Sequence, residues 1–179
     1  VSQKIATITI DRPKVLNALN SETISEIATA VDEAIQDEKV SAVILTGGCE
    51  KSFIAGADIG ELTTHNATSG RSFALFGQEV LNRIEGSSKP FVAAVNGFAL
   101  GGGCEVALAC HIRIAASTAH FGQPEVGLGL IPGYGGTQRL PRLVGKGIAL
   151  ELLLSGSNIS SEEAHRIGLV NKVIEALKK

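Results

Sequence analysis

Between Lys4 and Ile10 the chain is β-branched and alternates, with Ile5, Thr7 and Thr9 set against Ala6, Ile8 and Ile10. A period of two marks a strand with two distinct faces, and Asp11-Arg12-Pro13 ends it with a turn. At Asn20 the period changes. Ile24, Ile27, Val31 and Ile35 recur at helical spacing, which predicts an amphipathic helix capped by Asn20 or Ser21, with Glu22 in its first turn. Ala42 to Thr46 reads as a short buried strand closed by Gly47-Gly48, with a loop from there to Asp58. Phe73, Phe76, Val80 and Ile84 mark a second helix; Phe91 to Val95, preceded by Pro90, marks another strand. A helix over 103–110, a strand over 112–115 and a short extended stretch over 119–121 lead to a loop carrying Glu125. The Gly- and Pro-rich segment 127–136 reads as irregular. Thr137 to Leu143 and Lys146 to Leu154 read as helices. A last helix, capped by Ser160 or Ser161 and stopped by Gly168, precedes a final strand over Leu169 to Val173.

Strands alternating with helices define an α/β fold. With 179 residues and no repeat, linker or low-complexity tract, the expectation is a single domain over 1–179. Hydrophobic residues at 44% and charged residues at 19% suit a globular protein with a substantial core. A net charge of −2 argues against a nucleic-acid surface. No apolar run approaches the ~18 residues of a membrane span. Cys49, Cys104 and Cys110 are an odd number without a secretory signal, which points to free thiols in a reducing compartment. The expected location is the cytoplasm, or the mitochondrial matrix for a processed eukaryotic chain. The absence of Met, even at position 1, points to a processed or excised chain.

Chemistry enters with the 21 glycines, which cluster between Gly97 and Gly147. Gly101-Gly102-Gly103-Cys104-Glu105 joins an apolar strand to an apolar helix. Glycines opening a helix leave its first N–H groups bare, a donor site for an oxygen gaining negative charge. Glu105 beside such donors suggests acid or base chemistry at a carbonyl. The plainer reading is a tight turn in which Glu105 complements the helix dipole. Ala55-Gly56-Ala57-Asp58-Ile59 is a small-residue loop after a buried strand, open to a ligand or chosen for packing. Phe121-Gly122-Gln123-Pro124-Glu125 offers a second carboxylate in a rigid loop. Two carboxylates can divide acid and base roles when their surroundings separate their pKa values; a solvated surface Glu is the alternative. Pro132 to Arg139 is Gly-rich but lacks the Lys-Ser/Thr of a phosphate loop and the spacing of a dinucleotide fingerprint. No zinc spacing and no Gly-x-Ser-x-Gly elbow occurs. Cys104 reads as a small buried side chain, His111 and His120 as structural, and His65 and His165 as exposed.

Taken together, these segments resemble the crotonase superfamily, and within it the enoyl-CoA hydratases. The resemblance runs from Ile5 to about Val173, through Arg12 to Leu19, Ala55 to Ile59, Gly97 to Glu105, Phe121 to Glu125 and Pro132 to Arg139, in the family's order. It implies a crotonase-like spiral of β-β-α turns that holds an acyl-CoA thioester. It assigns oxyanion-hole N–H groups to Ala57 and Gly102 and the catalytic carboxylates to Glu105 and Glu125. Lys14, Val15, Ala55, Asp58 and Ile59 would serve the coenzyme A portion, with Lys14 at its phosphates. Pro124 and Gly133 would shape the acyl site, and Gly101 would be a further substrate-binding residue.

The implied reaction is hydration of a trans-2-enoyl-CoA to a 3-hydroxyacyl-CoA. It needs no metal and no cofactor beyond the coenzyme A of the substrate. A homotrimer or hexamer is the implied assembly. Another crotonase reaction, such as isomerisation or decarboxylation, and a non-catalytic acyl-CoA-binding core are the alternatives; Glu at both positions favours hydration. His111 stands where the family usually has an acidic residue. The family also continues beyond this chain's last residue into C-terminal helices that cap the acyl pocket and build the trimer.

Overall fold

The alternating segment at the N-terminus forms β1 (Ile5–Ile10), and the helical period after Asn20 forms α1 (Ser21–Gln36), in the computed structural model, which describes residues 1–176. The Asn20 side chain caps α1 by accepting from Thr23 N–H, and its apolar stripe, Ile24, Ile27 and Val31, is buried. Three similar passes follow. β2 (Ala42–Gly47) and β3 (Ser52–Ile54) lead to α2 (Ile59–Leu62) and α3 (Ala67–Glu85). β4 (Phe91–Val95) and β5 (Phe98–Leu100) lead to α4 (Gly102–Ala109). β6 (Ile112–Ala116) and β7 (His120–Gly122) lead, through a 3-10 turn over Pro124–Leu128, to α5 (Gly136–Val144) and α6 (Lys146–Ser155). β8 (Asn158–Ser160), α7 (Ser161–Arg166) and β9 (Lys172–Ile174) follow as the last elements of the described residues.

Each pass places one strand in each of two sheets and then returns through helix. The first sheet is parallel throughout, in the order β1-β2-β4-β6-β9. The second, β3-β5-β7-β8, is parallel except for its last pair. Parallel neighbours cannot be joined by a tight hairpin, so each connection must cross over. The result is the β-β-α spiral that the resemblance implied.

Several elements differ from the sequence reading. The loop between Gly47 and Asp58 contains β3, and β5 stands between β4 and the glycines of α4. β8 likewise has no counterpart in that reading. Strands of three residues are too short to display a period of two. Helix α3 begins at Ala67, six residues before Phe73, because Asn66 and Ser69 form a reciprocal capping box there. The last strand starts at Lys172, not Leu169. Leu169 and Val170 are buried, but both direct their N–H groups to Ala164 O and so close α7. Part of the segment 127–136 is regular after all, since the 3-10 turn runs on to Leu128.

All eight residues of α4 are buried, which explains why its sequence is apolar on every side. The glycines at its start, Gly101 to Gly103, also do more than turn the chain. Gly101 has φ +50°, which favours glycine. Gly103 lies so close to β3 that a Cβ would stand 2.0 Å from Ile54 O. That glycine is a packing residue by virtue of what it lacks, a role beyond the turn and the bare N–H groups read from the sequence. The approach fixes α4 against the strand that carries the Ala55–Ile59 loop.

Candidate active site

The Ala55–Asp58 loop is held on both sides of Ala57. Ala55 N–H donates to Leu16 O at 3.1 Å, Leu19 N–H to Gly56 O at 2.8 Å, and Asp58 N–H to Leu19 O at 2.7 Å. Gly56, at φ +106°, makes the bend possible. Asn17, buried, secures the same region by donating to Ser52 O and Phe53 O. Across from this loop, Gly101 N–H is tied to Gly122 O at 2.9 Å, and Gly102 opens α4. Among the described residues neither Ala57 N–H nor Gly102 N–H has a protein acceptor. Both residues line one cavity of about 510 Å³.

Glu105 lies in the first turn of α4, only 1% exposed. Its Oε1 accepts from Tyr134 N–H at 2.8 Å and from Gly136 N–H at 2.6 Å. The loop supplying these donors is shaped by Gly135 at φ +98° and anchored by Arg139. That buried guanidinium donates to Tyr134 O at 2.7 Å, to Asn82 Oδ1 at 2.6 Å and to Glu85 Oε2 at 2.8 Å, the last two on α3. Burial raises the Glu105 pKa most strongly. The Gly136 N–H bond opposes it, the charge of Glu125 adds to it, and the carboxyl is pushed up from 4.5 to about 7. Half-buried Glu125, in the 3-10 turn, is also raised, chiefly by desolvation. Gln123, 1% exposed, stands beside it. With its amide nitrogen turned to that side it donates to Glu125 Oε1 at 3.0 Å and Oε2 at 3.2 Å.

Of the residues singled out from sequence, Ala55, Ala57, Ile59, Gly101, Gly102, Glu105, Pro124, Glu125 and Gly133 line this cavity. Lys14, Val15 and Asp58 do not line it. Lys14 and Val15 are exposed in a 3-10 turn over Pro13–Val15. Asp58 caps α2 through Gly60 N–H and faces Arg12 Nη2 at 3.5 Å. Gln123, Tyr134, Gly136 and Arg139 were present in the quoted motifs without a role. The parts of Tyr134, Gly136 and Arg139 depend on a loop folding back 29 to 34 residues beyond Glu105, which no local pattern signals, whereas Gln123 acts on Glu125 two residues away. Cys104 and Cys110 are buried thiols, each pushed up to about 12 by desolvation, which fits inert packing. His111 Nδ1 accepts from Phe91 N–H at 3.0 Å, the structural use expected of it. His65 is not exposed as expected: it is half-buried, with a dry Nε2, and lines the cavity.

Two buried-side carboxylates and two free backbone donors around one cavity form the kind of site used for chemistry next to a carbonyl. A family model described as Enoyl-CoA hydratase/isomerase matches residues 1–178, and the chain belongs to that family. It is 59% identical over 172 residues to the short-chain-enoyl-CoA hydratase of Clostridium acetobutylicum. It is 56% identical over 173 residues to the crotonyl-CoA hydratase of Syntrophomonas wolfei. These alignments cover 96% and 97% of this chain, which spans 66% of the length of each relative. Among solved structures, an enoyl-CoA hydratase from Bacillus anthracis superposes with a TM-score of 0.93 at 40% identity, covering 97% of this chain and 67% of that one. One from Geobacillus kaustophilus gives 0.90 at 42%, covering 97% and 66%.

Proposed function

We propose that the protein adds water across the 2,3 double bond of a short trans-2-enoyl-CoA to give the 3-hydroxyacyl-CoA. The observation that carries this reading is the pairing of Glu105 and Glu125 on the cavity that also presents the free N–H groups of Ala57 and Gly102. The two relatives named for short-chain and crotonyl substrates support the same chemistry. When hydroxide adds to C3, negative charge moves to the thioester oxygen. Two backbone donors stabilise that enolate, each worth roughly 3–4 kcal/mol in comparable sites. Glu105, its Oε1 fixed by two N–H bonds that favour the carboxylate, orients water and takes its proton. Glu125, whose carboxyl desolvation shifts towards holding its proton, delivers a proton to C2. The chemistry draws on no group beyond the protein and the coenzyme A of the substrate.

Ala55 and Ile59 would contact the pantetheine arm, and exposed Lys14 would meet the phosphates outside the cavity, with Val15 and Asp58 beside it. Exposed Leu150 and Leu154, on one face of α6, support self-association, and a homotrimer or hexamer is the assembly proposed. Bacterial relatives support a cytoplasmic setting; no helix among the described residues is long and apolar enough to cross a membrane. Loss of enoyl-thioester absorbance on mixing with crotonyl-CoA tests the activity. An unchanged spectrum, with butyryl-CoA still bound, would leave an acyl-CoA-binding core in its place.

A further inference from the structure

We infer that Asn17 is a positioning residue for the Ala57 N–H, the oxyanion donor of the enoyl-CoA reading above, on which this inference rests. The direction of that N–H is set by its neighbours. Leu19 pairs with Ala57 as in a parallel ladder: Leu19 N–H donates to Gly56 O, and Leu19 O accepts from Asp58 N–H. In such a pair the bonds run to the residues on either side. The N–H of Ala57 itself therefore faces away from Leu19, on the side of the cavity that Ala57 lines. Segment 16–19 is the template for the loop, and a shift in the template re-aims the donor.

The template has a backbone that would not hold its shape unaided. Leu16 and Asn17 are both left-handed, at φ +53° and +63°. Asn accepts that conformation readily and Leu does not, and such strain persists only where the surroundings over-determine it. The Asn17 side chain supplies the constraint. It is 0% exposed. Its Oδ1 accepts from Arg12 N–H at 2.8 Å, and its Nδ2 donates to Ser52 O and to Phe53 O, each at 3.0 Å. The register of β3 on β5 shifts between Ser52 and Ile54, and there two successive carbonyls turn to one amide, as a bulge allows. Ser52 Oγ adds a bond to Leu16 O at 2.8 Å. One side chain thus joins both ends of the 12–17 turn to the strand that runs directly into Ala55–Asp58. Among the simple replacements none keeps all three bonds. Asp loses both donors, Ala loses the acceptor as well, and Gly keeps only the backbone freedom.

The test reads the donor itself. Butyryl-CoA carrying carbon-13 at its thioester carbonyl binds without reacting, and infrared difference spectroscopy gives the C=O stretch, which falls as the oxygen accepts stronger hydrogen bonds. The parent is compared with Asn17→Asp, Asn17→Gly and Ser52→Ala. Val31→Ala, a truncation in the core away from the cavity, is the control for lost stability alone. In both Asn17 variants the band should rise above its parental wavenumber. Their kcat for crotonyl-CoA hydration should fall at least about tenfold, against about 10²–10³-fold for outright loss of a donor. KM should change less than about threefold, because a misaimed donor costs most where charge has developed. Ser52→Ala should show the same changes in smaller measure, and Val31→Ala should show neither. A folded Asn17 variant with the parental band and kcat overturns the inference, as does a Val31→Ala protein that reproduces the Asn17 changes. Where circular dichroism finds the Asn17 variants unfolded, Ser52→Ala decides, and a parental band and kcat there overturn the inference too. A parent that does not hydrate crotonyl-CoA overturns the proposed function, and this inference with it.

Discussion

Replacing Glu105 by Gln should make the protein more stable at alkaline pH while removing its activity. The carboxyl is 1% exposed, and its pKa rises from 4.5 to about 7 on folding, mainly because burial disfavours the charge. A raised carboxyl binds its proton more tightly in the folded state, so its contribution to stability is complete below about pH 4.5. It is lost as pH climbs through 7. A rise from 4.5 to about 7 corresponds to roughly 3 kcal/mol in full, most of which disappears between pH 5 and 8. Gln keeps an oxygen for the N–H groups of Tyr134 and Gly136 and carries no charge to desolvate. Urea unfolding of parent and variant at pH 5, 6, 7 and 8 gives the difference directly, and groups common to both cancel. The variant should gain on the parent steadily over that range, by roughly 2–3 kcal/mol in all. Its hydration rate should fall by about 10²–10⁴-fold, the usual weight of a general acid or base. A stability difference that stays flat with pH, or shrinks as pH rises, would refute the claim that Glu105 is held near neutrality by burial.

Glu125→Gln should also lose about 10²–10⁴-fold in hydration while still binding butyryl-CoA; hydration at the parental rate would remove Glu125 from the mechanism. Gly102→Val should fold, because Gly102 is not among the positive-φ glycines, yet its branched side chain would press on Leu19 and Tyr134 at 3.3–3.4 Å and enter the cavity. Circular dichroism and a crotonyl-CoA assay check both halves, and a folded variant with parental activity would reduce the Gly-rich turn to architecture. Light scattering on the purified chain should show self-association; a monomer at tens of micromolar would count against the proposed assembly.

The long elements were legible because each has a pattern long enough to repeat. Alternation over Lys4–Ile10 and the stripe Ile24, Ile27, Val31 and Ile35 give β1 and α1 without tertiary information. Caps at Asn20 and Ser160 were readable for the same reason: their oxygens act on N–H groups three residues away. The three-residue strands β3, β5 and β8 exist because parallel or antiparallel partners align beside them, and nothing local announces that. The site divides along the same line. The motifs containing Glu105, Glu125, Ala57 and Gly102 could be picked out as chemistry-bearing residue types in rigid or Gly-rich turns. Only the folded chain brings them to one cavity, buries Glu105 and supplies its two N–H donors from residues 134 and 136. The sequence by itself determines which groups can ionise, donate or turn. Desolvation and long-range hydrogen bonds, which set how those groups behave, belong to the tertiary structure, because both depend on what distant segments exclude and what they present.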